Sequence, residues 1–241
     1  MKKVFLLYGL LSLCFGRAGA QDMLSATIAN IAIHDFQRER IRSEYEQEKI
    51  RLGRGKSGAA ALKDSRSGHA FLFAPDTSVS VGVAQAIIND LKKKNPVSGN
   101  NLEAALKRNN PFPAYVRYLK GRGLDVQHDY ADAFSAYLLG IWRIANGRYA
   151  DPAAAQIHAV RNQVGAMIHV SDWSNQKKQE AAEYLLYDLI FANEPYEASR
   201  KEGNKIQQQQ DSDMVYNRFL KQHKMDLRKM MITEKGLVPV K

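Results

Sequence analysis

The chain predicts an all-α fold: a single helical bundle of about five to seven helices, preceded by a mobile N-terminal arm. Three observations predict it. Apolar residues recur every three to four positions over most of the chain beyond Asp76, and proline, glycine and asparagine punctuate the segments so marked. No long stretch alternates apolar and polar residues with period two. The helix count follows from helices near eleven residues joined by short loops. With 241 residues, 45% hydrophobic and 25% charged, the chain can bury one core without a metal or a disulfide.

Residues 1–20 read as a signal peptide. Lys2 and Lys3 give a basic start, Val4 to Phe15 is an apolar run, and Ala18-Gly19-Ala20 is a small-x-small cleavage site. Gly16 and Arg17 break the run too early for a membrane anchor, which needs about twenty apolar residues. Leu13 stands before Cys14 where a lipid-attachment signal wants a small residue. The mature chain is therefore expected to begin at Gln21, with no transmembrane segment after cleavage, and to be exported, periplasmic or secreted. Cleavage removes Lys2, Lys3 and Arg17, lowering the formal charge from +10 to +7, and takes the one cysteine with it. Thiol chemistry is then excluded, and nucleotide cofactors are scarce outside the cytoplasm. Gly55-Lys56-Ser57 resembles the end of a P-loop, but the pattern's first glycine falls on Ile50, so no cofactor is expected.

Residues 21–52 form a helical or disordered arm, with apolar positions only at its start and dense Arg and Glu after Gln37. Residues 53–68, rich in glycine, serine and cations, read as a flexible linker. The globular domain is expected over 69–241. His69 to Pro75 is a short extended segment. Asp76, Thr77 or Ser78 then caps a helix whose stripe is Val81, Ala84, Ile87, Ile88 and Leu91, ending in Lys92 to Lys94. A short helix covers 101–109, and Pro111 and Pro113 open another that ends at Gly121 and Gly123.

The stretch 128–147 carries the stripe Ala131, Phe134, Leu138, Ile141 and Ala145, and further apolar residues cover most of its circumference, so this helix is central. The next, 152–169, puts Ile157, Val160, Val164 and Met167/Ile168 on one face. A longer helix starts near Ser174 with Ala182, Leu185, Leu186, Leu189 and Ile190 inward, and Pro195 bends or stops it. Gln207 to Gln210 is polar, the last helix is short, from Met214 to about His223, and the tail to Lys241 packs back on the bundle.

Four blocks stand out: Gly123-Leu124-Asp125 with Asp129-Tyr130-Ala131-Asp132-Ala133, Arg161-Asn162-Gln163, Gln179 to Leu186, and Met225-Asp226-Leu227 with Thr233-Glu234-Lys235-Gly236-Leu237. Together they resemble an exported bacterial family of unknown function, domain of unknown function 6683, over roughly residues 70–240. The resemblance implies export. It supplies no activity, cofactor or catalytic residue.

Several constellations invite chemistry. His128, Asp132, Asp125 and Asp129 have the types and spacing for a metal, but aspartates at a helix start are explained by capping, and no metal is expected. His158, Asn162, Gly165 and His169 share a helix face that could line a cleft, though close helix contact through Gly165 explains it better. Glu183, nearer the inward side than Glu180, could be a buried general acid, with Asp132 as a second carboxylate. A polar core cluster of Asp132, Arg143, Arg161 and Glu183, pairing for register, is the plainer reading.

The leading function is thus a non-catalytic envelope or secreted interaction module. The alternative is a hydrolase acting on a cell-wall polymer with a glutamate general acid. The cationic surface suits an envelope protein or an anionic envelope polymer as partner, and export disfavours nucleic acid.

Overall fold

The computed structural model describes residues 68–240. The expected signal peptide and arm, and all but the last residue of the expected linker, lie outside the described residues. Among the described residues the fold is all-α, seven α-helices with one two-stranded sheet. The helices are α1 (Thr77–Lys94), α2 (Pro96–Arg108), α3 (Phe112–Lys120), α4 (Tyr130–Ala145), α5 (Ala154–Met167), α6 (Asn175–Lys201) and α7 (Lys205–His223). Strands β1 (Met230–Thr233) and β2 (Gly236–Pro239) follow as an antiparallel hairpin.

Caps set the helix starts. Asp76, Asn95, Asp129, Ser174 and Asn204 each accept a backbone N–H of the first turn from their side chains. Helix α4 is central as its composition predicts, with Ala131, Ala133, Ile141 and Ile144 fully buried. Its closest neighbour is α6. At Gly140 even a methyl group would collide with the Leu189 side chain, so the glycine lets these two helices approach.

Helix α6, 27 residues long, separates two apolar clusters. Ala182, Leu186 and Leu189 face α4 and the main core. Tyr184, Tyr187, Ile190 and Phe191 face a smaller cluster with Val83, Ile87 and Ile88 of α1 and Leu102 of α2. Val81, expected on the inward stripe of α1, is 64% exposed and Val83 is buried in its place; Met167 of α5 is exposed as well.

The structure departs from expectation in several segments. Helix α2 starts at Pro96, capped by Asn95, ahead of the expected 101. Of the bend or stop expected at Pro195, the stop does not occur, since Pro195 lies inside α6. The residues beyond it are tied down: Tyr196 donates to the Arg148 carbonyl, and Ser199 donates to Asp211 at 2.7 Å. Helix α7 starts at Lys205, well before the expected Met214, because its polar first turns are needed there: Gln208 donates to the Tyr196 hydroxyl. The tail, for which no strand is predicted, folds back as the hairpin.

That hairpin lies on α5 and is pinned by two side chains seven positions apart on one helix face. Gln156 donates to the Ile232 carbonyl on β1. Gln163 accepts from the Leu237 N–H at 2.8 Å and donates to the Leu237 carbonyl at 3.0 Å on β2. Gly236, at φ +101°, leaves the room that the Gln163 amide occupies. Outward-pointing groups on both strands are thereby satisfied, which a lone hairpin cannot do for itself. Gln163→Leu keeps the bulk and orphans both Leu237 groups. It should cost about 2–3 kcal/mol in thermal or urea unfolding and speed hydrogen exchange at the Leu237 amide.

Candidate functional site

The four residues expected to form one polar core cluster fall into three separate networks. Arg161 of α5 and Asp132 of α4 do meet. The Arg161 Nε donates to Asp132 at 2.9 Å and its Nη2 donates to Asp129 at 2.7 Å. The backbone N–H of Asp125 donates to the other Asp132 oxygen at 2.7 Å. Asp129 also caps α4 through Ala131 and Asp132. Burial, then the neighbouring Asp129 charge, pushes the Asp132 carboxyl above its ordinary range despite the guanidinium. Gly165 does not mediate helix contact as expected: a Cβ there would crowd the Arg161 guanidinium, so the glycine makes room for this pair. Arg161→Met, leaving two carboxylates side by side, should cost about 2–3 kcal/mol in denaturant unfolding, less than a fully dry pair because both keep some water.

Glu183 meets no arginine; it sits at the α1–α6 contact. Ser80 donates to its Oε1 at 2.6 Å and Gln179 donates to the same oxygen at 2.8 Å. Gln179 in turn accepts from the Asp76 N–H and donates to the Asp76 carbonyl, fixing the start of α1 on α6. Burial raises the Glu183 carboxyl above the ordinary glutamate range, against the pull of both hydrogen bonds. A raised carboxylate costs stability while it is charged, and the cost disappears as falling pH protonates it first in the folded state. Glu183→Gln can accept both hydrogen bonds uncharged. It should therefore raise Tm at neutral pH, with the gain shrinking as pH falls through Glu183's raised pKa towards the ordinary glutamate range.

The His128 constellation serves the α4 entry. His128 Nδ1 pairs with Asp125 at 2.9 Å, and Asp129 and Asp132 are committed to the helix start and to Arg161. Among the described residues no group of three or more ligating side chains converges. His158, Asn162 and His169 are exposed to solvent and do not line the cleft beside Arg143.

Arg143 leads elsewhere, to an open cleft of about 330 Å³ between α3, α4, α6 and the loop 147–153. Its floor is apolar, formed by Leu119, Leu124, Ala136, Leu139 and Ile157. On one wall Arg143 donates to Glu197 at 2.8 Å and to Asn193, and lies over the Tyr196 ring. On the other wall Arg122 pairs with Asp151, and the Tyr118 hydroxyl donates to Asp151 at 2.7 Å. Arg122 also lies over the Tyr118 ring, whose neighbour Tyr115 has its centroid 5.6 Å away.

Local structure explains how these side chains arrive. Gly123, at φ +85°, closes α3 with a tight turn, which brings Arg122 back over Tyr118. Gly147, at φ +61°, ends α4, and the Arg148 carbonyl is held by Tyr196, so the loop carries Asp151 across to α3. Burial tends to raise the Glu197 carboxyl, but Arg143 and Arg200 outweigh it and hold the group below its ordinary value, as a carboxylate. Burial and the bond to Asp151 push the Tyr118 phenol up to about 12, so it stays a neutral donor.

Of the cleft's polar residues only Arg143 stands among the sequence candidates. Tyr115 and Tyr118 carried a signal: three-residue spacing sets two aromatics along one face of α3, with Arg122 in the turn just beyond its end. Asp151, Asn193 and Glu197 carried none, since a loop aspartate and two residues near a helix end are ordinary. No protein-family model, curated protein or solved structure matches the chain.

Proposed function

We propose that this chain is an exported, non-catalytic interaction module that recognises a component of the cell envelope through the cleft between α3, α4 and α6. The observation that carries this reading is the state of the ionisable groups. Asp132 is tied to Arg161, and Glu183 is buried beneath Ser80 and Gln179; neither lines the cleft. A cell-wall hydrolase built on those two would need both at one open cleft, one of them protonated beside the bond it cleaves.

The cleft's own carboxylates suit binding better than acid catalysis. Glu197 is held ionised, and Asp151 already accepts from both Tyr118 and Arg122. Among the described residues, no histidine, serine or threonine lines this cleft to serve as nucleophile or proton carrier. An apolar floor with a few converging polar groups is the usual make-up of a small-ligand site, and the volume lies at the small end of their range of about 300–1,000 Å³. Residues 1–20 support export, and the cationic excess supports approach to a negatively charged envelope.

Purified full-length protein mixed with isolated cell-wall polymer should co-sediment saturably and release no soluble fragments or new reducing ends. Arg143→Ala should reduce retention while circular dichroism stays helical. Fragment release that Glu183→Gln abolishes would establish the hydrolase instead.

A further inference from the structure

We infer that the cleft takes a neutral, hydroxyl-rich ligand, a saccharide unit, rather than an anion. The inference rests on the interaction-module reading above and specifies the ligand of that site.

The charges lining the cleft are balanced before any ligand arrives. Arg122 is matched by Asp151 and Arg143 by Glu197, so the walls hold two cations and two anions; Arg200, which also pairs with Glu197, lies outside the lining. A phosphate or carboxylate entering here would meet a lining with no net charge. To reach either guanidinium it would have to displace a carboxylate, leaving Asp151 without a cation or Glu197 with Arg200 alone. A neutral ligand breaks nothing. Hydroxyl groups both donate and accept, so they can bond to the remaining lone pairs of Asp151 and Glu197 and to the guanidinium nitrogens outside the ion pairs. Among the described residues, Arg122 uses only Nη2 towards a carboxylate, and Arg143 bonds through Nη1 and Nη2 only, leaving Nε in each without a partner.

The remainder of the cleft suits the other face of a sugar. Its floor of leucine, isoleucine and alanine side chains, with Tyr115 and Tyr118 at the rim, offers apolar contact to ring C–H groups. Tyr118 is 44% exposed, so its ring is reachable from solvent. Because the ion pairs already hold the long side chains in place, a ligand need not pay to order them. Balanced, pre-ordered charges above an apolar floor describe a site for a polar but uncharged molecule.

The test is an NMR titration of the full chain with four probes: the neutral disaccharides N,N′-diacetylchitobiose and maltose, and the anions inorganic phosphate and acetate. At least one disaccharide should saturably shift amide resonances of α3, the 147–153 loop and the end of α6, and neither anion should do so. Arg122→Ala and Asn193→Ala should each weaken that binding about tenfold or more. Asp151→Asn frees Arg122 of its counter-ion and should create phosphate binding that the unsubstituted protein lacks.

Phosphate or acetate saturating the unsubstituted cleft, or no disaccharide shifting it, would overturn the saccharide assignment. Co-sedimentation with cell-wall polymer, lost on Arg143→Ala, would then leave the interaction-module reading standing. Loss of that co-sedimentation result as well would remove both. The Arg122 and Asp151 side chains are partly solvated, so these variants should fold, and circular dichroism verifies it.

Discussion

Helix α6 is covered on both sides, and most of the fold's polar architecture follows from that constraint. A helix with one solvent face can leave its polar residues in water. Helix α6 has apolar clusters on two flanks, so polar residues along its length must find partners inside the protein or lose their solvation uncompensated. Gln179 and Glu183 find α1, Asp188 finds Arg218 of α7 in a two-pronged pair, Asn193 and Glu197 find Arg143 of α4, and Ser199 finds Asp211. Successive partners come from different helices, so the polar residues of α6 dictate which neighbour lies against which turn.

This arrangement changes how buried charge is to be read here. The Asp188–Arg218 pair, with side chains only 3% and 11% exposed, is the most deeply buried of the ion pairs considered. Its two parallel hydrogen bonds fix the rotation of α7 against α6, whereas an apolar pair of equal volume would tolerate sliding. Asp132 with Arg161 does the same for α4 and α5, and Gln163 and Gln156 do it with uncharged amides for the hairpin. Several residues of the sequence blocks singled out above therefore make contacts between elements. Asp129 and Asp132 meet Arg161, Gln163 meets Leu237, and Gln179 meets the start of α1.

The helices were largely legible in the sequence because their signals are local. Capping residues and three-four spacing are properties of a single turn: Asp76, one of three expected caps, and Asp129, one of the aspartates expected at a helix start, do cap, and α6 begins beside Ser174 as expected. Pairing was legible only in part, since spacing along one helix says nothing about which helix lies opposite. It put Arg143 and Arg161 in one cluster, whereas the bundle sends them to opposite ends of separate contacts. The misread segments share a cause. Pro195 and the run Gln207 to Gln210 look like helix ends, yet Tyr196, Ser199, Gln208 and Asp211 bond across α6 and α7 and outweigh local preference. Four-residue strands are too short to show an alternating pattern, and here side chains of α5 hold them through hydrogen bonds that their own sequence does not reveal.

The cleft lies where the constraint on α6 relaxes. Toward its C-terminal end the helix emerges from between the two clusters: Glu194 is exposed, and Asn193 and Glu197 are only partly covered. Their partner Arg143 holds them, yet the cleft gives a ligand access to the network from the side of α3 and the loop 147–153. Deeper along the helix the same chemistry is sealed, as Asp188 and Arg218 are, and can serve only the fold. A polar network therefore acts as register deep in the bundle and becomes available for recognition only where packing leaves it half open. In this protein that transition falls within about three turns of one helix, between Asp188 and Glu197.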